Sequence, residues 1–140
     1  MTQLRYHKRL LNTTNHNKIL VIMTHPSSVN GNDGTTIFIK NYIDGIIDLV
    51  NIIPYVGKNL QEIEVNTTFS LTELENNRDK IKHLLDNNIY NKIYVAVGQD
   101  FLLRNNKQIY INECKLIVEM LMPYSDKVYC FGITSKKMHL

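Results

Sequence analysis

Four stretches of the chain are almost uninterrupted runs of apolar residues: ILVIM (19–23), LVNII (49–53), IYVAV (93–97) and VYCFGI (128–133). Continuous rather than alternating apolarity marks strands buried on both faces, as in parallel sheets. An earlier stretch, LRYHKRLL (4–11), alternates imperfectly and reads as a possible N-terminal edge strand. Helical spacing fills the gaps between the runs. After Asp33, the positions Ile39, Tyr42, Ile43 and Ile46 share a face, with Asp33 or Thr35 as the natural N-cap. After Ser70, the stripe is Leu71, Leu74, Ile81, Leu84 and Leu85, and Ser70 with Glu73 has capping-box spacing. The third helix aligns Cys114, Ile117, Val118 and Leu121, and Pro123 ends it. Residues 54–69 read as a long irregular loop. Strand–helix alternation predicts a single α/β domain over residues 1–140: a three-layer α/β/α arrangement around a mostly parallel central sheet of four strands, plus the possible edge strand.

Composition narrows the setting. With 140 residues and 44% hydrophobic content, the chain is of one-domain size and has enough apolar side chains for a core. It has no apolar run of about 18 residues and no secretory pattern at its start, so a cytoplasmic protein that spans no membrane is expected. Two isolated cysteines, Cys114 and Cys130, offer neither a disulfide framework nor zinc spacing, and read as buried thiols in a reducing compartment. No metal or cofactor is expected. The net charge of +3 sits at the ends: Arg5, Lys8 and Arg9 near the start, Lys136 and Lys137 near the finish, around a slightly acidic body. Those five are the candidate contacts to nucleic-acid phosphate.

Parallel α/β sheets bind ligands beyond the carboxyl ends of their strands. Here that rule selects residues 24–35, 54–58, 98–104 and 132–139. The first loop is richest: Pro26 stiffens it, Ser27, Ser28 and Thr35 offer hydroxyls, and the following helix offers free N–H groups to an anion or a polar base edge. Asp33 reads equally well as a ligand-orienting carboxylate and as a helix cap. His25 and His139 are the candidate proton donors or bases, with Tyr55, Gly98 and Thr134 at the remaining strand ends.

The order of these pieces resembles the domain-of-unknown-function family numbered 1643, found in bacteria, phages and mobile elements. That family has a strand, then Asn-Pro-Ser, then Asp-x-Thr before a helix; here stand His25-Pro26-Ser27 and Asp33-Gly34-Thr35. A strand ending in Asn-Leu-aromatic corresponds to Asn51-Ile52-Ile53-Pro54-Tyr55, a later Asn-Asp to Asn76-Asn77, and an Ala-x-Gly strand end to Ala96-Val97-Gly98. The closing Gly-x-Thr-Lys and His-Pro-Leu correspond to Gly132-Ile133-Thr134, Lys136 and His139-Leu140. His25 stands where the family has Asn, the Arg often found after the second strand is absent, and the last motif lacks its Pro. The family layout is in turn similar to the uracil-DNA glycosylase superfamily. That resemblance implies a pocket for a nucleobase, nucleotide or nucleic acid.

Three readings stay open. In a glycosylase-like domain, Asp33 would position water and His25 or His139 would stabilise the leaving base. A non-catalytic nucleic-acid or protein-binding module of a mobile genetic element would use the basic ends. A flavodoxin-like reductase would use loop 24–36 as its phosphate cradle.

Overall fold

The computed structural model describes residues 3–12, 16–29, 34–87, 89–97 and 103–130. Its elements in chain order are β1 (Lys8–Asn12), β2 (Lys18–Met23), α1 (Gly34–Tyr42), β3 (Gly45–Asn51), α2 (Leu60–Asn66), α3 (Leu71–Asp86), β4 (Lys92–Ala96), α4 (Lys107–Leu121), a 3₁₀ turn (Met122–Lys127) and β5 (Val128–Cys130). The strands form one sheet in the order β1-β3-β2-β4-β5. Strand β2 pairs in parallel with β3 and β4, and β4 in parallel with β5. Strand β1 runs antiparallel to β3, so the sheet is mixed.

Strand pleating sends successive side chains to opposite faces, and two cores result. Leu20, Ile22, Val50 and Ile93 pack with Leu60 and Ile63 of α2, Leu74 and Ile81 of α3, and Ile117 of α4. Ile19, Val21, Met23, Ile47 and Leu49 pack with Ile39 of α1 and with Ile43 just after it. No helix among the described residues is long and apolar enough to cross a membrane.

Several sequence-based expectations change. Strand β3 begins at Gly45 rather than Leu49, and Ile46 belongs to it rather than to the preceding helix. The cause is a tight junction at Gly45, whose φ is +155°. Ile46 N–H donates to the Asn17 carbonyl at 2.7 Å, and a Cβ on Gly45 would stand 2.7 Å from that same oxygen. We therefore expect Gly45→Ala to cost about 1–3 kcal/mol through backbone strain. Urea denaturation measures this, and an unchanged midpoint would show that the junction is not wedged.

The expected loop 54–69 contains α2, which buries only Leu60 and Ile63 and is capped by Asn59, whose side chain accepts from Glu62 N–H at 2.8 Å. The buried stripe of α4 is Tyr110, Glu113, Ile117 and Leu121, so Ile117 and Leu121 are buried as expected but Cys114 and Val118 are not part of it. Val118 is 53% exposed, because the helix turns Glu113 inward to Arg78. Tyr42 and Leu71 likewise face outward. Cys114 is half-buried and Cys130 exposed, against the expectation of buried thiols. Thr35 lies inside α1 and so is not its N-cap.

Candidate functional site at the carboxyl edge of the parallel strands

Three segments are laced together where β2 and β3 end. Beyond the β2–β3 ladder, Ile52 N–H donates to Met23 O (2.8 Å), Ile53 N–H to Thr24 O (3.0 Å) and Gly57 N–H to Pro26 O (3.1 Å). Residues 3–5 then add an antiparallel arm. Leu4 bridges Tyr55, Arg5 N–H donates to Pro54 O and Val56 N–H to Gln3 O, both at 2.9 Å. The start of the first loop, residues 24–26, is thus held by backbone bonds, a fixed frame for the side chains it carries.

Buried polar groups collect on this frame. Arg5 is buried, and its Nη1 donates to the Ser28 carbonyl at 2.7 Å. Thr24 is buried and accepts from the Tyr110 hydroxyl of α4 at 3.4 Å. Asn77 of α3 donates its Nδ2 to the carbonyls of Asn51 (2.8 Å) and Ile52 (3.2 Å), so it covers strand-end acceptors that the sheet leaves over. Asn51 is the outlier. It is 0% exposed, and neither its Oδ1 nor its Nδ2 has a hydrogen-bond partner among the described residues. It pairs in register with Met23, which packs against α1, so pleating places its side chain on the α1 face of the sheet. Asn77 Oδ1 is also buried without a partner.

The surrounding helices are anchored to the edge by charge-assisted bonds. Arg78 Nε donates to Glu113 Oε2 at 2.8 Å, tying α3 to α4. Burial pushes the Glu113 carboxyl up, and the Arg78 guanidinium only partly offsets it. Glu64 of α2 accepts from the N–H groups of Arg104 (2.7 Å), Asn105 (2.8 Å) and Asn106 (2.8 Å), and from Asn106 Nδ2 (3.0 Å). Slight burial works against the Glu64 charge, but these donors hold its carboxyl below the ordinary value. Asn106 makes no side-chain cap of its own for α4. Glu64 instead gathers the N–H groups that lead into α4 and so pins the chain between β4 and α4.

The expected site residues fall into distinct places. His25 is half-buried on the first loop, with Nδ1 donating to the Pro26 carbonyl at 3.3 Å. Ser27 and Ser28 are half-buried beside it, and Thr35 belongs to the first turn of α1. Tyr55 lies at the edge, but its hydroxyl is committed. It accepts from Ser70 N–H (2.8 Å) and donates to Glu73 Oε1 (3.0 Å), while Ser70 Oγ accepts from Glu73 N–H (3.3 Å). The phenol is thereby inserted into the capping box of α3, between the two groups that ordinarily bond directly. Burial, together with the Glu73 carboxylate, pushes the Tyr55 hydroxyl up to about 12.

The basic residues near the start do not form one patch. Arg5 is beneath the first loop, Lys8 is half-buried opposite Leu49, and Arg9 is bound to Asp48 through Nε (2.8 Å) and Nη2 (3.1 Å). Asp33, Gly98, Thr134, Lys136, Lys137 and His139 lie outside the described residues. Among the described residues, no group of three or more His, Cys, Asp or Glu is placed to hold a metal ion.

Thr24, Tyr110 and Glu113 are edge residues that the sequence motifs do not single out, and Asn77 is singled out only through the family resemblance. Two of them had a signal: Asn77 interrupts the apolar stripe Leu74–Ile81 of α3, and Glu113 interrupts Tyr110–Ile117 of α4. A polar residue on a buried stripe needs a partner.

Comparison with curated proteins finds no match, and neither does comparison with solved structures. The family model described as Protein of unknown function (DUF1643) matches residues 5–139, and the chain belongs to that family.

Proposed function

We propose that the edge framed by Arg5, residues 24–28 and residues 51–57 binds a nucleobase-bearing ligand, with the Asn51 carboxamide reading the base edge. The observation that carries this is the Asn51 side chain, wholly buried with its donor and acceptor both unused. Leaving such a group unsatisfied costs about 1–3 kcal/mol, and native proteins retain few of them. A carboxamide offers a donor and an acceptor side by side in one plane. That geometry matches the edge of adenine, or the amide-like edge of a pyrimidine such as uracil. Arg5 places a buried positive charge at the same edge, suited to a phosphate or to a base leaving as an anion.

The reading takes the domain as a three-layer α/β/α fold of glycosylase-like layout, and that resemblance supports a base over other planar amides. In its catalytic form Asp33 positions water, and His25 or His139 stabilises the departing base. In its non-catalytic form the same edge recognises a nucleotide or nucleic acid of a mobile genetic element.

The test is a near-isosteric replacement. Asn51→Leu should gain stability by roughly 1 kcal/mol, because it deletes the unsatisfied amide. It should also lose at least tenfold in affinity for whichever nucleobase, nucleoside or nucleotide the wild type binds in an NMR titration panel. Equal affinity in the variant, or no binding of any panel member by the wild type at millimolar concentration, would overturn the reading.

A further inference from the structure

The face of the sheet that carries α1 has an aromatic surface at the β4–β5 side. Tyr94 of β4 pairs in register with Val21 of β2 and with Tyr129 of β5, so all three point to the α1 face. Tyr94 is half-buried and Tyr129 is 47% exposed. Their ring centroids lie 5.8 Å apart at an interplanar angle of 36°, and Lys92 Nζ stands 5.7 Å from the centre of the Tyr129 ring. At the end of α1, Tyr42 is 70% exposed and stacks on Phe38 at 4.4 Å. Between that helix end and β4 is a pocket of about 190 Å³, lined in part by Asn17, Tyr42, Asp44, Asn91, Lys92 and Tyr94. Its floor is fixed, since Asn91 N–H donates to Lys18 O (2.7 Å) and Lys18 N–H donates back to Asn91 Oδ1 (2.8 Å).

We propose that this face binds single-stranded nucleic acid, with one base in the pocket against Tyr42 and Tyr94 and the next stacked on Tyr129. It lies at the amino-terminal ends of β2 and β4, at the far end of those strands from Asn51, and does not rest on the reading of the carboxyl edge. Neighbouring tyrosines on an open sheet face, with a lysine beside them, are the parts of a stacking platform: every base has a π face, and the cation meets the phosphate. The distribution of charge agrees. Lys92 stands beside the exposed ring where the backbone would pass. Asp44 lines the pocket, which disfavours phosphate there and favours a base carrying an exocyclic amine, as carboxylates accept from cytosine N4. Asn17 and Asn91 add polar amide side chains to its wall. A protein partner docking by apolar burial would instead meet a pocket walled by amides and charges.

Fluorescence anisotropy with labelled ten-nucleotide single strands (oligo-dC, oligo-dA, oligo-dT) and a duplex tests this. The wild type should bind single strands at micromolar concentration, dC and dA ahead of dT, and the duplex at least tenfold more weakly. Tyr129→Ala should weaken binding about tenfold, while Tyr129→Phe keeps it, because stacking needs the ring and not the hydroxyl. Lys92→Ala should lower the log–log salt slope by about 0.7. Val65→Ala, at an exposed position of α2, should leave all of this unchanged. Tyr129 is exposed, so its variants should melt as the wild type does. No strand binding by the wild type, or full binding by Tyr129→Ala, would overturn the proposal. So would a dimer in sedimentation that Tyr129→Ala dissociates without any strand binding, which would assign the face to a second copy of the chain.

Discussion

Asp48→Ala should lower stability by about 3–5 kcal/mol and the melting temperature by roughly 10 °C or more, the scale for breaking a buried ion pair from one side. Asp48 is 1% exposed in the middle of β3. Its Oδ1 accepts from His7 Nε2 (2.7 Å) and Arg9 Nε (2.8 Å), and its Oδ2 from Arg9 Nη2 (3.1 Å) and the Tyr90 hydroxyl (2.6 Å). One carboxylate therefore fastens the edge strand β1 and the turn before β4 to the central sheet. Burial by itself would raise its pKa, but the bonds from His7, Arg9 and Tyr90 outweigh burial and hold it well below the usual carboxylate range. Removing it leaves the buried Tyr90 hydroxyl without this acceptor and the Arg9 guanidinium without its counter-ion.

The depressed pKa fixes the sign of the pH dependence. The unfolded chain binds the proton more readily, so the stabilisation is complete above the ordinary Asp value of about 4 and fades as pH falls through and below it. Asp48→Asn should thus differ from wild type most at pH 6–8 and progressively less towards pH 3, as read from urea midpoints. A difference that stays constant across that range would mean that the Asp48 charge is not what holds the strand.

The same residue shows why part of the fold was hidden in the sequence. Strands such as ILVIM announce themselves by continuous apolarity, because each side chain meets apolar neighbours. In GIIDLVN the Gly and Asp look like breakers, since their justification lies at residues 7, 9, 17 and 90, far away in sequence. Helix α2 was hidden for a different reason. Seven residues with two buried side chains give too short a period to read, and only the spacing of Asn59 and Glu62 marks its start. At the candidate site, Asn51 was legible only through the family resemblance, because the apolar run 49–53 put it inside a strand, whereas β3 ends at it. That its amide lacks a partner among the described residues was not, because this depends on what packs against the α1 face of the sheet. Tyr55 was legible as an edge residue, but only the structure shows its hydroxyl absorbed into the cap of α3.

Arg78→Met should also destabilise the fold in a pH-dependent way, although Glu113, unlike Asp48, is a carboxyl whose pKa is raised in the fold. The expected loss at neutral pH is on the order of 2 kcal/mol, below the ~3–5 kcal/mol of wholly buried pairs, since the Arg78 side chain is still 27% exposed. Burial makes the folded state hold the Glu113 proton more tightly than the unfolded chain does. Stability from this group therefore falls as pH rises from the ordinary Glu value of about 4.3 through the raised folded value. Losing the guanidinium raises that folded value further, so the gap between wild type and variant should widen from pH 4 towards pH 8. Glu113→Gln in the Arg78→Met background should recover most of the loss, since the amide carries no charge to bury. A pH-independent gap, or no recovery in the double variant, would show that Arg78 contributes packing rather than charge. The pair also bears on the ligand edge. Arg78 follows Asn77, which caps the Asn51 and Ile52 carbonyls, and Glu113 lies one turn after Tyr110, which reaches Thr24. Setting α3 against α4 through this bond sets both contacts at once. Arg78→Met should accordingly weaken nucleobase binding at pH 8 more than at pH 5, although the residue itself lies outside the frame of the site.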